Sequence, residues 1–348
     1  MKKKFNIIFM GTPDFAVPAL KALAEYNCHI SLVITQPDRP KGRGKKIIAP
    51  PVKTAAEELG LDIIQPKSMK GEKIREKLAG LKPDIFVVVA FGHKLSREIL
   101  SIPSIFPINI HASLLPEYRG SSPIQAAILN MDKKAGVTTM VMDDSLDTGD
   151  ILLKAETPIK CDTTASDLHD TLAQMGADLI IKTLDAIYDD KITPYPQDND
   201  KATFAPMLKK NDGKIDWEKS PDEINALVRA MNPWPGTFTF LNGKRIKILR
   251  VSCSNSNKNS KLKSKSNKSS NKNRSEDEIS VPVKNITPPI ESIAPGTVIL
   301  CDSSGIRVAA GNSGYVSILE IQAEGGKRLH ACEFLRGRNL ETGIRFDY

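Results

Sequence analysis

The first 190 residues alternate short apolar runs with helical patterns, and this alternation constrains the fold more than any other feature. Strand and helix alternating at this spacing is typical of right-handed crossovers, which build a mostly parallel sheet covered by helices. The run 84–90 is almost entirely apolar, as a central strand should be. The pattern predicts an α/β, Rossmann-like domain over residues 1–190. Its predicted strands are 5–9, 29–34, 84–90, 107–110, 136–142 and 151–159, and its predicted helices are 15–26, 52–59, 71–81, 123–130 and 163–188.

The pattern changes after a polar, Pro-rich segment, 191–211, which we predict to be a linker. Beyond it, over 212–348, short apolar runs are separated by Gly, Asn and Ser, and a helix is predicted at 221–231. This pattern favours a small, OB-like β-barrel. The segment 252–290 is rich in Ser, Asn and Lys at its start, and we interpret it as a low-complexity insertion in a barrel loop. The predicted barrel strands are 237–241, 244–251, 296–300, 305–309 and 315–321.

The net charge of +8 lies entirely in the second part, because residues 209–348 contain 23 Lys and Arg against 15 Asp and Glu. Such an imbalance suggests a polyanionic partner. A solvated loop is the alternative, since 252–290 alone carries 8 basic and 3 acidic residues. The sequence has no apolar run of the roughly 20 residues that a membrane helix needs. Its five cysteines include no Cys-x-x-Cys pair, which favours a reducing, cytoplasmic location and argues against a metal site.

Chemically useful side chains follow the predicted strand 107–110. Asn109 and His111 are two residues apart, so on an extended strand both point to the same face. An acidic loop containing Asp147 follows the next predicted strand. An amide, an imidazole and a carboxylate are the groups needed to stabilise an oxyanion and to move a proton. On spacing alone, an Asn at a strand end and a surface His remain an equally good interpretation.

The loops after successive parallel strands meet at one edge of the sheet, where ligands bind in open α/β folds. We therefore expect the Asn109 and Asp147 segments to share that edge with the loop that begins at Phe91. A further loop contains five Lys and Arg in eight positions, with two glycines among them. Basic loops of this kind suit a phosphate backbone, although a solvated surface loop is an equal alternative. The basic residues are Arg39, Lys41, Arg43, Lys45 and Lys46.

Five motifs then occur in order along the chain. They are Gly11-Thr-Pro-Asp-Phe-Ala16, the basic loop from Gln36 to Lys45, Asn109-Ile-His111-Ala-Ser113-Leu-Leu-Pro116 with Tyr118-Arg-Gly120, Leu146-Asp-Thr-Gly-Asp150, and Asn232-Pro-Trp-Pro235. On these motifs the chain resembles the methionyl-tRNA formyltransferases over nearly its whole length. The Ser-Leu-Leu-Pro segment is shared with other enzymes that use 10-formyltetrahydrofolate, including glycinamide ribonucleotide formyltransferase. The basic loop and the barrel are what point to tRNA.

The resemblance implies that Asn109, His111 and Asp147 are catalytic and that no metal is required. It also implies that 10-formyltetrahydrofolate donates a formyl group to the α-amino group of initiator methionyl-tRNA, for translation initiation. We expect a cytoplasmic monomer with no membrane attachment. The implied folate contacts are Phe91, Gly92, Ser113, Leu114, Leu115 and Pro116. The implied tRNA contacts are Arg39, Lys41, Arg43, Lys45 and Lys46, together with the basic barrel.

Two other functions stay open at this point. One is a formyltransferase that acts on a small amine, such as glycinamide ribonucleotide or an amino sugar. The other is an inactive homologue that only binds RNA. The insertion 252–290 is longer than the resemblance leads us to expect. Part of the basic charge of residues 209–348 therefore belongs to this segment, and the rest is left for a tRNA surface on the barrel.

Overall fold

The computed structural model describes residues 5–41, 44, 46–254, 292–302, 305–337 and 340–347. It divides the chain into two units, Met1–Leu208 and Lys209–Tyr348. The proposed insertion 252–290 lies outside the described residues except for its first three, which belong to a strand of the second unit. In the described part of the chain, no helix combines the length and the apolar character required to cross a membrane.

The first unit contains a seven-stranded sheet in the order β10-β9-β7-β6-β1-β2-β5. Neighbours from β7 to β5 are parallel, whereas β9 and β10 are antiparallel additions at one side. This confirms the predicted mostly parallel α/β sheet. The strands of the unit are β1 Asn6–Gly11, β2 His29–Ile34, β3 Arg39–Lys41, β4 Lys46–Ile48, β5 Ile63–Ile64, β6 Ile85–Val89, β7 Phe106–His111, β8 Arg119–Gly120, β9 Lys134–Val141, β10 Ile151–Pro158 and β11 Phe204–Ala205. The helices are α1 Val17–Glu25, α2 Pro51–Glu58, α3 Glu72–Gly80, α4 Arg97–Leu100, α5 Pro123–Leu129 and α6 Ala165–Tyr188.

The local sequence explains why these strands and helices form where they do. Every residue of β6 is buried, which is why the run has no polar alternation. The long helix α6 begins at a capping box, in which Thr164 accepts a hydrogen bond from the Asp167 amide and the Asp167 carboxylate accepts one from the Thr164 amide. Removing such a cap costs about 1 kcal/mol. The buried face of α6 packs on α1 and β9, which closes one face of the sheet.

The strand order places a switch point between β1 and β6, because the chain extends the sheet in opposite directions from these two strands. Open α/β sheets bind ligands at such a point, beyond the carboxyl ends of the strands. The two loops that leave the switch point are joined by a hydrogen bond of 2.8 Å from Thr12 Oγ1 to the Phe91 carbonyl. The carboxyl end of β7, next to β6, carries Asn109 and His111 to the same edge.

The second unit is an antiparallel sheet in the order β12-β13-β16-β15-β14, with β17 beside β16. The C-terminal segment bridges its two edges, since Asp347 pairs with Phe240 of β12 and Arg345 pairs with Thr297 beside β14. This closure gives the predicted barrel-like form. Inside it, Trp217 is fully buried and stacks on Phe346, with ring centroids 5.7 Å apart. The elements are β12 Thr237–Leu241, β13 Lys244–Ser254, β14 Val298–Asp302, β15 Gly305–Ala310, β16 Gly314–Ala323, β17 Leu329–His330, α7 Pro221–Ala230 and α8 Ala331–Arg336.

Candidate active site

His111 is the last residue of β7, and its ring is held in one orientation. Nε2 lies 2.9 Å from the carbonyl oxygen of Tyr118, and the residue is 6% exposed. A carbonyl can only accept, so Nε2 must be the nitrogen that carries a hydrogen. In neutral imidazole the lone pair is then on Nδ1, which is therefore the atom that gains or loses a proton.

Asp147 faces that nitrogen. Its Oδ2 lies 3.8 Å from His111 Nδ1 and accepts a hydrogen bond of 2.8 Å from the Gly120 amide. The distance to Nδ1 is longer than a hydrogen bond, so the interaction is electrostatic and leaves Nδ1 open to another partner. A carboxylate in this position stabilises the positive charge that forms when the imidazole takes up a proton. The pair can therefore accept and return a proton.

Asn109 lies two residues before His111 on β7 and is half-buried. Among the described residues, nothing makes a hydrogen bond with its side-chain amide. An amide donor of this kind, held on a sheet strand and not saturated by the protein, is suited to bind a developing oxyanion. The structure thus brings together the three side chains that the sequence singled out, while their catalytic role stays a prediction.

The turn after His111 is held by hydrogen bonds within the protein. The Ser113 hydroxyl donates to the Glu117 carbonyl at 2.5 Å, and Thr138 Oγ1 donates to the Ser113 carbonyl at 2.6 Å. Lys154 Nζ donates to the carbonyl of Leu115, whose side chain is fully buried, and the Leu115–Pro116 bond is cis. Leu114 and Pro116 are the partly exposed members of the segment. They are the side chains best placed for the predicted folate contact.

A cavity of about 390 Å³ lies at this edge of the sheet. A volume of this size is within the range of small-molecule sites. Gly92 and Asp147 line it, whereas Phe91 is 3% exposed, is not part of the lining, and accepts a hydrogen bond from Thr12 through its carbonyl. Gly92 has a φ of 80°, a conformation that suits glycine. The remaining lining comes from residues 93–95, Met140, Met142 and residues 143–146.

The basic loop forms the two legs of a hairpin, β3 and β4, with Lys41 opposite Lys46. Arg39 is exposed, and its Nη2 donates to Gln36 Oε1 at 2.8 Å. Arg43 and Lys45 lie outside the described residues, so their predicted tRNA contact stays a prediction, as does that of Lys41 and Lys46. In the part of the chain that the structure describes, no group of three or more His, Cys, Asp or Glu is arranged to hold a metal ion.

Three residues that support this site were not identified from the sequence. Arg119 is 4% exposed and donates to the side-chain oxygens of Gln197 and Asn199. Gln197 in turn donates to the carbonyls of Asp147 and Gly149. Gln197 and Asn199 belong to the polar segment that we predicted as a linker, where only the Pro-rich composition was visible. Arg119 lay inside a recognised motif without an assigned role.

Two family models match the chain in succession. A model described as formyl transferase matches residues 3–184, and one described as formyl transferase, C-terminal domain, matches residues 207–339. A protein named methionyl-tRNA formyltransferase from Geobacter metallireducens is 43% identical over 343 residues, which cover 99% of this chain and 99% of that relative. The chain belongs to the methionyl-tRNA formyltransferase family.

Other proteins named methionyl-tRNA formyltransferase are similar to this chain to nearly the same degree. The relative from Citrifermentans bemidjiense is 42% identical over 338 residues, covering 97% of this chain and 95% of its own length. The relative from Clostridium novyi is 42% identical over 337 residues, covering 97% and 98%. Because the similarity extends through both units, the resemblance carried by the five motifs is confirmed, and the chain is an enzyme of the formyltransferase class.

Solved structures show the same fold at low identity. WlaRD, a sugar 3N-formyl transferase crystallised with dTDP and 5-N-formyl-THF, gives a TM-score of 0.62 at 18% identity and covers 90% of this chain and 97% of its own. HypX from Aquifex aeolicus, in complex with tetrahydrofolic acid, gives 0.58 at 15% identity and covers 99% and 51%. These two proteins share the architecture with the methionyl-tRNA formyltransferase family.

Proposed function

We propose that this chain transfers the formyl group of 10-formyltetrahydrofolate to the α-amino group of methionyl-initiator-tRNA. The observation that carries the proposal is the arrangement at the end of β7, where the Asp147 carboxylate lies 3.8 Å from Nδ1 of a ring whose other nitrogen is occupied. The unsaturated amide of Asn109 is two residues away on the same strand. Family membership over the whole length supports the choice of donor and acceptor.

The chemistry is acyl transfer to an amine. The neutral amine attacks the formyl carbon, a new C–N bond forms, and the carbonyl oxygen gains negative charge. Asn109 donates a hydrogen bond to that oxygen, a type of contact whose loss costs about 10²–10³ in turnover. His111 Nδ1 takes the proton that the attacking nitrogen loses, and donates towards the oxyanion while it is protonated. The bond to N10 of the folate then breaks, the proton passes to that nitrogen, and tetrahydrofolate leaves.

The donor would occupy the cavity of about 390 Å³, which Gly92 and Asp147 line. Phe91, whose carbonyl accepts the hydrogen bond from Thr12, would hold the loop that carries Gly92. The turn formed by Ser113, Leu114, Leu115 and Pro116 is not part of the cavity lining, so it would contact the donor where the formyl group extends from the cavity towards His111. Ser113 and Leu115 are buried, so they act by shaping the turn that presents the other two. This division follows from exposure, because a buried, hydrogen-bonded side chain has little surface to offer a ligand.

The tRNA would be held by charge. Arg39, Lys41 and Lys46 lie on the two strands of one hairpin, Arg43 and Lys45 fall between these strands in the sequence, and the second unit carries the net positive charge of the chain. Phosphate contacts make the affinity for nucleic acid fall as the salt concentration rises. Each contact steepens the plot of log affinity against log salt concentration by close to one unit. Replacing Arg43 by Ala should therefore weaken use of charged tRNA and flatten its salt dependence, while folate binding stays unchanged. We further propose that the protein works as a cytoplasmic monomer.

The test is transfer of isotope label from 10-formyltetrahydrofolate to three acceptors offered separately: methionyl-initiator-tRNA, glycinamide ribonucleotide and an amino sugar nucleotide. We expect transfer to the tRNA at rates far above those with either small amine. Faster transfer to a small amine would replace the proposed acceptor. Absence of transfer to any acceptor, with tRNA binding retained, would favour an inactive RNA-binding homologue.

A further inference from the structure

Gln197 uses its whole side-chain amide to connect two parts of the site. Its Nε2 donates to the Asp147 carbonyl at 2.9 Å and to the Gly149 carbonyl at 2.8 Å. Its Oε1 accepts from Arg119 Nε at 3.1 Å and from Arg119 Nη2 at 2.8 Å. Gln197 is 8% exposed, so these partners take the place of water. The side chain is thus fixed at both ends.

Arg119 is an unusual residue to find at this position. It is 4% exposed, and within the part of the chain that the structure describes its guanidinium has only neutral oxygen partners, from Gln197 and Asn199. A buried charge is costly unless it is paired or fully hydrogen-bonded. Among the described residues no carboxylate forms an ion pair with it. The guanidinium therefore depends on these amide oxygens, and it holds the Gln197 amide in one orientation, with the NH₂ group towards Asp147.

Asp147 needs such support because its backbone is in the left-handed region, with a φ of 54°. For a residue other than glycine this conformation is disfavoured and persists only when the surroundings impose it. Gln197 binds the backbone of Asp147, and the Gly120 amide binds its carboxylate at 2.8 Å. Backbone and side chain are each anchored, and together the two anchors aim Oδ2 at His111 Nδ1.

Both anchors depend on the segment 195–205, which we name the strap. Its Tyr195 pairs with Ile151, just after the Asp147 loop, through two backbone hydrogen bonds of 2.8 and 3.1 Å. Its strand β11 pairs in parallel with β8, which contains Gly120. The strap therefore spans from the acidic loop to the turn after His111, and Gln197 is the strap residue that reaches the Asp147 backbone.

We propose that Gln197, oriented by Arg119, is a positioning residue that sets the place of the Asp147 carboxylate opposite His111. The kinetic tests of this inference rest on the proposed function, because they measure formyl transfer to tRNA. Gln197 touches neither a reacting atom nor a substrate in this proposal. It acts on the reaction only through Asp147, which distinguishes it from Asn109.

A change of Gln197 to Glu separates positioning from folding. Glutamate keeps an acceptor for Arg119, now as an ion pair, so the buried guanidinium stays compensated. It loses both donors to the loop and places a carboxylate against two carbonyl oxygens. We expect kcat for formyl transfer to tRNA to fall about 10- to 100-fold, the loss typical of a misplaced catalytic group. The KM for the folate should stay close to that of the wild type, and the melting temperature should fall by only a few degrees, the cost of losing two hydrogen bonds to buried carbonyls.

The control is Gln174→Glu, the same change of an exposed amide on α6 of the same unit. It should leave kcat unchanged. A second comparison combines Gln197→Glu with Asp147→Asn. If Gln197 acts through Asp147, it should cause little further loss in that background, and the pH profile of kcat in Gln197→Glu should resemble that of Asp147→Asn. Full additivity of the two losses, or a Gln197→Glu enzyme with kcat within twofold of the wild type, would overturn the proposal.

Hydrogen exchange of the full-length chain gives a readout that does not depend on activity. Amides of residues 143–151 should exchange faster in Gln197→Glu than in the wild type, and unchanged exchange would overturn the proposal. If Gln197→Glu does not fold, Gln197→Asn, which keeps an amide but is one methylene too short to reach both Arg119 and the Asp147 loop, is measured in the same way, with the same expected fall in kcat and faster exchange. A wild type that fails to formylate tRNA would defeat the proposed function, while the exchange result still decides the role of Gln197.

Discussion

Asn109 and Gln197 are both amides of the candidate site, and their surroundings are opposite. Asn109 is half-buried and, in the described part of the chain, its amide has no hydrogen-bond partner. Gln197 is 8% exposed and makes four hydrogen bonds. An amide that the protein leaves unsatisfied is available to a substrate, whereas a saturated one can only hold other groups in place. Residue type alone therefore does not assign a role in this site; the hydrogen bonds around each amide do.

Among the changes that test this comparison of amides, Asn109→Ala should have the greatest effect on turnover. Because the side chain supplies no bond to the described protein, its loss should not lower stability, yet kcat should fall about 10²–10³-fold. Steady-state formyl transfer at saturating folate measures this, alongside thermal unfolding. The matching change Asn199→Ala removes an acceptor from a buried guanidinium, so it should cost about 1–2 kcal/mol of stability and affect kcat less. If Asn109→Ala lowered stability and left kcat unchanged, while Asn199→Ala did the opposite, the distinction between an amide that binds substrate and one that holds the protein in place would be lost.

Gly120 tests the connection between the site and the strap. Its φ is 119°, and a Cβ there would lie 2.7 Å from the Ala205 carbonyl oxygen. We expect Gly120→Ala to destabilise the protein by about 1–3 kcal/mol, since alanine is disfavoured at this φ and its Cβ would collide with the Ala205 carbonyl, and to lower kcat by moving the amide that binds Asp147. Urea unfolding and transfer kinetics measure both effects.

The control for that change is Gly60→Ala. Gly60 also has a positive φ, 65°, but a Cβ there would meet nothing within 4 Å. Gly60→Ala should lower the free energy of unfolding only by the cost of placing alanine in the left-handed conformation, about 1 kcal/mol, and should leave kcat unchanged. Equal losses of kcat in the two variants would show that contact with the strap is irrelevant to turnover.

A smaller effect concerns Tyr118, whose carbonyl binds His111. Burial, followed by the hydrogen bond to Asp132, raises the pKa of its phenol from 10.0 to about 12. The folded protein therefore favours the protonated phenol, so this contribution to stability is complete below pH 10 and is lost as the pH rises to 12. Wild type should lose more stability than Tyr118→Phe across that interval, as measured by unfolding at each pH. Parallel curves would contradict the assignment.

The sequence was sufficient for features that depend on local order. The buried run of β6, the long helix predicted at 163–188 and the two-residue spacing of Asn109 and His111 all follow from period and residue type. These features require no knowledge of distant segments, which is why they could be predicted.

The long-range hydrogen bonds that hold the site in place could not be predicted in this way. Gln197 meets Asp147 and Arg119 across long stretches of sequence, and the polar, Pro-rich composition around it is the same as that of an ordinary linker. Aspartate adopts the left-handed region more readily than most residues, but nothing in the local sequence marks Asp147 as the residue that does so here. Long-range hydrogen bonding leaves no periodic trace in a single sequence.

The central claim is that His111, through Nδ1 and beside Asp147, moves the proton during formyl transfer to methionyl-initiator-tRNA. The direct measurement is single-turnover transfer of label from 10-formyltetrahydrofolate to that tRNA by the wild type and by His111→Ala, at saturating folate and tRNA. We predict rapid transfer by the wild type and a fall of about 10²–10⁴-fold in the variant, with folate affinity retained. Transfer by His111→Ala at a rate close to that of the wild type would contradict the account.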